Sequence, residues 1–241
     1  VFHGCRARRI AADAIPNAGS GAFLARLSTI TSVQREPEGT DYPDGFFARG
    51  DDTDDAEFYS YPRYVTHIDD GAIGAVGALY DELEIRGEVL DLMSSWVSHF
   101  REAPASLTVL GMNADELAAN PQARAWVVHD LNRDPVLPFA DDAFDHVTCC
   151  VSVDYLTRPV DVFRAVARVV RPGGLFVCTF SNRLFPTKAI RGWLYSESNA
   201  HMEIVAGYFA AAGGYDVATV RQCATPPGGD PLYAVWAAVR A

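Results

Sequence analysis

LPFADDAFDHVTCCVSVDYLTRPVDVFRAVARVVRPGGLFVCTF, Leu137 to Phe180, reads as loop, strand, helix, tight turn and strand. Phe144 to Val151 is rich in apolar and β-branched residues, the pattern of a strand buried on both faces of a parallel sheet. Pro159 suits the first turn of a helix. Val160, Val162, Phe163, Val166, Ala167 and Val170 then recur at helical spacing and form an apolar face. At Arg171, Pro172, Gly173, Gly174 proline cannot continue the helix and glycine supplies a left-handed turn, so Leu175 to Phe180 is the next strand.

Outward from this unit the same alternation continues. Val89 to Leu92, Leu107 to Met112 and Trp126 to His129 read as three earlier strands, with Ala114 to Ala119 the clearest intervening helix. Upstream, Phe58, Tyr59, Tyr61, Tyr64, Val65 and Ile68 form an aromatic and apolar cluster, followed by an amphipathic helix over Ala72 to Leu83. Downstream, Pro186 to Tyr195 and His201 to Ala212 read as helices, the second stopped by Gly213 and Gly214. Tyr215 to Cys223 and Leu232 to Val239 are two β-rich runs joined by a turn at Pro226 to Pro231, which predicts a hairpin.

The phrase LPF, a few polar residues, FD, and then RPGG resembles the type 11 branch of the class I S-adenosylmethionine-dependent methyltransferases, from about Glu88 to the C-terminus. The resemblance implies an α/β fold with a Rossmann-like seven-stranded sheet, mostly parallel with a C-terminal antiparallel hairpin, and helices on both faces. It implies S-adenosyl-L-methionine as cofactor, S-adenosyl-L-homocysteine as product, and a helical segment covering the site. The terminal hairpin separates this fold from a dinucleotide dehydrogenase, and GxGxxG is absent.

In an open α/β sheet the ligand lies beyond the carboxyl ends of the strands. After the first strand the sequence is Asp91, Leu92, Met93, Ser94, Ser95, Trp96, with no glycine where the family usually has several. The resemblance places Asp91 toward the cofactor's amino group, and the competing role is to cap a following helix. Ser94 and Ser95 are small and offer hydroxyls to the methionine end, whereas Met93 and Trp96 are not expected to imitate glycine at positive φ. Asn113 stands at the position of the acid that takes the ribose hydroxyls, and Met112 beside it faces either the adenine or the core. Asp130 is assigned to the adenine amino group, with Asp134 as rival, and the Leu131 backbone N–H to a ring nitrogen. Val151 lines the pocket. Tyr59, Arg63 and His67 lie in the covering segment, where Arg63 suits the methionine carboxylate.

The chain has 241 residues, 49% hydrophobic and 21% charged, enough for one well-buried α/β domain with an appendage. Residues 1–55 read as a flexible tail, disordered or a non-native extension. Residues 56–241 read as the methyltransferase-like domain, with a helical lid over 56–86. The leader carries Arg6, Arg8, Arg9 and Arg26 against Asp13, a pattern that also suits organellar import, while Pro16 and the nearby glycines break any secretory core. Otherwise a cytoplasmic location is expected, with no membrane segment. A net charge of −11 disfavours nucleic acid, as does SVDY in place of an NPPY-type phrase, so a small-molecule acceptor is expected. The five cysteines include adjacent Cys149 and Cys150, which a strand would point to opposite faces, and no metal site is expected. Asp154 and Tyr155 are candidate bases, while Asn182 and Arg183 are candidates to orient the acceptor. The competing function is a non-catalytic methyltransferase-like binding or scaffolding protein. The acceptor and the oligomeric state stay open.

Overall fold

A computed structural model describes residues 42–241 and, as backbone, Arg8–Arg9. The strands are β1 (Arg8–Arg9), β2 (Glu88–Leu92), β3 (Ser106–Gly111), β4 (Ala125–Val128), β5 (Phe144–Cys150), β6 (Val170–Phe180), β7 (Thr219–Cys223) and β8 (Leu232–Ala238). They form one sheet in the order β1-β7-β8-β6-β5-β2-β3-β4. From β4 through β6 all pairings are parallel, whereas β8 runs antiparallel to both β6 and β7. The expected seven strands are β2 to β8. The two-residue β1, antiparallel on β7, is an addition within a segment read as tail.

The helices are α1 (Asp55–Phe58), α2 (Asp70–Glu82), α3 (Ala114–Ala118), α4 (Pro159–Val169), α5 (Arg191–Leu194) and α6 (Ser198–Ala212). Strand alternation sorts the core into two layers. Phe176, Cys178 and Phe180 of β6, with Tyr233, Val235 and Ala237 of β8, face Val162, Phe163 and Val166 of α4 and Val205, Tyr208 and Phe209 of α6. Val177, Ala234 and Trp236 face the other way, onto Ala72, Val76, Leu79 and Tyr80 of α2 and Leu117 of α3. Cys149 and Cys150 fall into opposite layers, as strand geometry requires. No helix among the described residues is long and apolar enough to cross a membrane.

Three expectations are corrected. Order does not begin near Ala56: Tyr42 packs on Phe46, Phe47 and Tyr208, and Arg49 bridges to Ile190. A Cβ on Gly192 would overlap the Phe46 ring, so glycine is what lets this segment seat. The remaining tail residues, 1–7 and 10–41, lie outside the described residues. Secondly, α2 is a layer of the sheet, and the cover over the strand ends is the irregular segment 59–68 instead of a helical lid over 56–86. Thirdly, the helix expected over Pro186 to Tyr195 shrinks to α5. Lys188, fully buried, spends this stretch in a turn where its ammonium meets the Thr53 carbonyl at 2.8 Å, Asp55 at 3.1 Å and Asp51 at 3.3 Å.

Candidate active site

The loops that follow β2, β3, β4, β5 and β6 converge on one cavity of about 280 Å³, which segment 59–67 covers. Apart from the rival Asp134, its wall contains every residue the sequence nominated for the cofactor: Asp91, Met93, Ser94 and Ser95 after β2, and Met112 and Asn113 after β3. Asp130 and Leu131 follow β4, Val151 follows β5, and Tyr59, Arg63 and His67 form the cover. It also contains residues the sequence did not single out, among them Asp55, Ser98, Glu116 and Asn132.

The glycine-free loop is accommodated in two ways. Met93 itself takes positive φ, 52°, against the expectation that it would not. Its backbone accepts a conformation that costs an L-residue about 1–2 kcal/mol. The close approach that loop glycines would have allowed is supplied from the neighbouring strand. Ser94 N–H donates to the Leu110 carbonyl at 2.8 Å, and a Cβ on Gly111 would overlap the Ser94 carbonyl oxygen. Val151, across the cavity, is also at positive φ, 46°, an unusual state for a β-branched residue.

Asp91 is 4% exposed and has no helix to cap, since residues 93–99 are irregular. Thr148 Oγ1 donates to its Oδ1 at 2.6 Å, and Ser94 and Ser98 donate to its Oδ2 at 2.7 Å each. Burial pushes this carboxyl up, and the three hydroxyls oppose that shift without cancelling it. A carboxylate has about four acceptor sites, so one remains.

Asn113 is the N-cap of α3. Its Oδ1 accepts from the amides of Asp115 and Glu116, while its Nδ2 donates to the carbonyls of Tyr59 and Ser60 at 2.8 and 3.4 Å. Glu116, one turn into α3, receives Arg63 N–H on Oε1 and Ser95 Oγ on Oε2, both at 2.6 Å. The cover is thus fastened through its main chain. The Arg63 guanidinium lies 4.5 Å over the Phe58 ring and donates from Nη2 to the Phe58 carbonyl, while its buried Nη1 has no partner.

Asp130 turns the loop after β4, its Oδ1 accepting from Asn132 and Arg133 amides. Asp134, the rival, does not reach the cavity and caps Val136 instead. Asn132 donates to the Asp55 carboxylate at 3.0 Å and to the Tyr155 carbonyl, and accepts from Thr157. Asp55 in turn pairs with Arg49 at 2.8 Å and with Lys188. These bonds tie residues 49–55 to both the β4 and β6 loops.

Of the two candidate bases, Asp154 is absent from the cavity wall. It lies 3% exposed with Oδ2 unpartnered, and burial pushes its carboxyl up to about 8. Tyr155 lines the cavity, but its hydroxyl accepts from Phe185 N–H, and burial raises its pKa far above the ordinary phenol. Asn182 stays out of the wall, whereas Arg183 enters it with Nε held by Asp230 at 2.8 Å. Phe185 is the hub of the outer end, with the rings of Phe58, His67 and Tyr155 at 5.3 to 6.0 Å. Burial lowers the pKa of His67.

Residues 92–178 match the family described as a methyltransferase domain. A 107-residue stretch is 35% identical to the ubiquinone/menaquinone biosynthesis C-methyltransferase UbiE of Paracoccus denitrificans, covering 44% of this chain and 40% of that protein. Over 62 residues the chain is 44% identical to the demethylmenaquinone methyltransferase of Mycobacterium tuberculosis, covering 25% of each. The chain therefore spans less than half the length of these relatives. A crystal structure of a SAM-dependent methyltransferase from Thermotoga maritima, described as a possible histamine N-methyltransferase, superposes with a TM-score of 0.50 at 10% identity. It covers 70% of this chain and 88% of that one, a likeness of fold.

Proposed function

We propose that this chain, a class I S-adenosylmethionine-dependent methyltransferase in its matched domain and its sheet, methylates a small-molecule acceptor seated beside Phe185. The observation that carries the reading is the convergence of twelve residues nominated from sequence for the cofactor, all but the rival Asp134, on one cavity at the strand ends, with a buried arginine nitrogen left open there. The residues fit the cofactor. Arg63 Nη1 suits the methionine carboxylate, and Ser94 and Ser95 offer little bulk against its chain. Asp91 keeps one acceptor site for the amino group. Asp130 Oδ2 and the Leu131 N–H suit the adenine edge, and Met112 its face.

When bound, the cofactor supplies a methyl group on a sulfonium, transferred by in-line displacement. The chain's task is alignment and exclusion of water. Tyr59, His67 and Phe185 shield the outer end of the cavity. With Tyr155 they form a wall suited to a planar, apolar acceptor, in keeping with the quinone-pathway names of the two relatives. An acceptor that must lose a proton requires a base. His67, kept neutral by burial and lining the cavity, fits that role better than Asp154 or Tyr155.

A second reading, a methyltransferase-like binding or scaffolding protein, is favoured by Asn113, whose amide is fully committed to the fold. Calorimetric titration of the full chain with S-adenosylmethionine and S-adenosylhomocysteine separates the two. One-to-one binding that weakens in Arg63→Ala supports the enzyme. Absence of binding to both ligands sinks it and leaves the scaffold.

A further inference from the structure

At the first turn of α3, Asn113 and Glu116 differ in the hydrogen-bonding capacity that they leave open to a ligand. Asn113 has two lone pairs on Oδ1 and two hydrogens on Nδ2, and the structure uses all four. It has no capacity left for a ligand hydroxyl. Glu116 is the opposite case. It is 7% exposed, lines the cavity, and belongs to none of the ion pairs among the described residues. Each of its oxygens receives one donor, Arg63 N–H or Ser95 Oγ, which leaves about one acceptor site on each. A buried carboxylate without a cation is costly unless its remaining sites are met by hydrogen bonds. Two open sites on adjacent oxygens match two adjacent hydroxyl donors.

We propose that Glu116, and not Asn113, accepts the vicinal hydroxyls of a ribose in this cavity, and that the same carboxylate fastens the cover through Arg63 N–H. The assignment rests on the methyltransferase reading, under which the ribose is that of the adenosyl group. Ligand hydroxyls, the β2 loop and the cover then meet at one side chain, so that a bound nucleoside stiffens the closure of its own site.

The test is a two-by-two calorimetric cycle with wild type and Glu116→Gln, each titrated with S-adenosylhomocysteine and with its 2′-deoxy analogue. Loss of the hydroxyl from the ligand should weaken wild-type binding by roughly ten- to hundredfold, the range for a hydrogen bond to a charged group. Glu116→Gln should weaken binding of the parent ligand comparably and be nearly indifferent to the missing hydroxyl. Glu116→Asp, which keeps the charge but retracts it, should show the same indifference and serves if the glutamine variant does not fold. Asn113→Ser, which keeps the cap, should retain the hydroxyl dependence. Equal weakening of both ligands by Glu116→Gln, or full hydroxyl dependence in either Glu116 variant, overturns the assignment while leaving the methyltransferase reading intact. No binding of S-adenosylhomocysteine to the wild type overturns both.

Discussion

Asp69 and Asp230 each accept a hydrogen bond from the other's backbone amide: Asp69 N–H reaches Asp230 Oδ2 at 3.0 Å, and Asp230 N–H reaches Asp69 Oδ2 at 2.7 Å. The exchange joins the N-cap of α2 to the turn between β7 and β8, and through Asp230 it also holds Arg183 at the mouth of the cavity. Asp230→Ala leaves an amide unmet in a part-buried place and should lower the free energy of unfolding by about 2 kcal/mol. Asp230→Asn, which keeps an acceptor oxygen, should lose about half of that. Urea denaturation checks both, and wild-type midpoints for the pair would show the exchange to be without consequence.

Gly111 is the position where the β2 loop lies against β3 without room for a side chain. Gly111→Ala should force the Ser94 carbonyl away, at about 1–3 kcal/mol, the usual cost of overpacking. S-adenosylhomocysteine affinity should fall in parallel, because the displaced residues are those of the cavity wall. A stable variant with unaltered affinity would mean that the loop yields freely.

Backbone strain at Met93 predicts a reversal of the ordinary order of alanine and glycine. Alanine is normally the more stable by roughly 0.5–1 kcal/mol within regular structure. At φ 52° the preference inverts, so Met93→Gly should exceed Met93→Ala by about 1 kcal/mol, each having lost the same methionine packing. Thermal melts of the two variants decide the sign.

Burial holds the Asp154 carboxyl at about 8 in the folded chain, against roughly 3.9 for an unfolded aspartate. Between these values the unfolded chain releases a proton that the native chain keeps. The contribution is therefore intact below about pH 4, declines as pH rises, and is level above about pH 8. Asp91, also raised by burial, acts in the same direction. Asp154→Asn has no proton to lose there, so its stability relative to wild type should grow across that window, by on the order of a few kcal/mol. Denaturation at pH 5 and pH 8.5 measures the difference, and parallel pH profiles for the two proteins would contradict it.

The strands were readable because β-branched and apolar runs such as Phe144 to Cys150 report burial on both faces, and α4 because Pro159 marks its first turn. Elsewhere long-range pairing overrode local pattern. The acids of residues 44–55 made that segment look like tail and masked Tyr42 and Phe47, which find their partner in Tyr208, and Phe46, which seats against Gly192, both partners lying far along the chain. Lys188 fell inside the helix expected over Pro186 to Tyr195, and nothing local revealed its burial, because its counter-charges lie more than 130 positions upstream. In the site, strand-end geometry is enough to bring the residues nominated for the cofactor, other than Asp134, to one cavity wall, yet it could not say which had spare bonding capacity. Thr148 joins Asp91 only once β5 lies beside β2. One clue was present for Asn113 and Glu116: their spacing, Asn-Ala-Asp-Glu, is that of a capping sequence, which points to Asn113 as a cap before any ligand is considered.

The segment over the cavity is held mainly by its peptide groups. Asn113 grips the Tyr59 and Ser60 carbonyls, Glu116 the Arg63 amide, and Trp96 Nε1 the Val65 carbonyl at 3.0 Å. Such anchors do not depend on which amino acids the segment carries. Tyr61, Tyr64 and Val65, each more than half exposed, are therefore free to be exchanged without detaching it. A fold fastened in this manner can change the side chains over its site without altering how the site closes, and of these three positions only Val65 reaches the cavity wall.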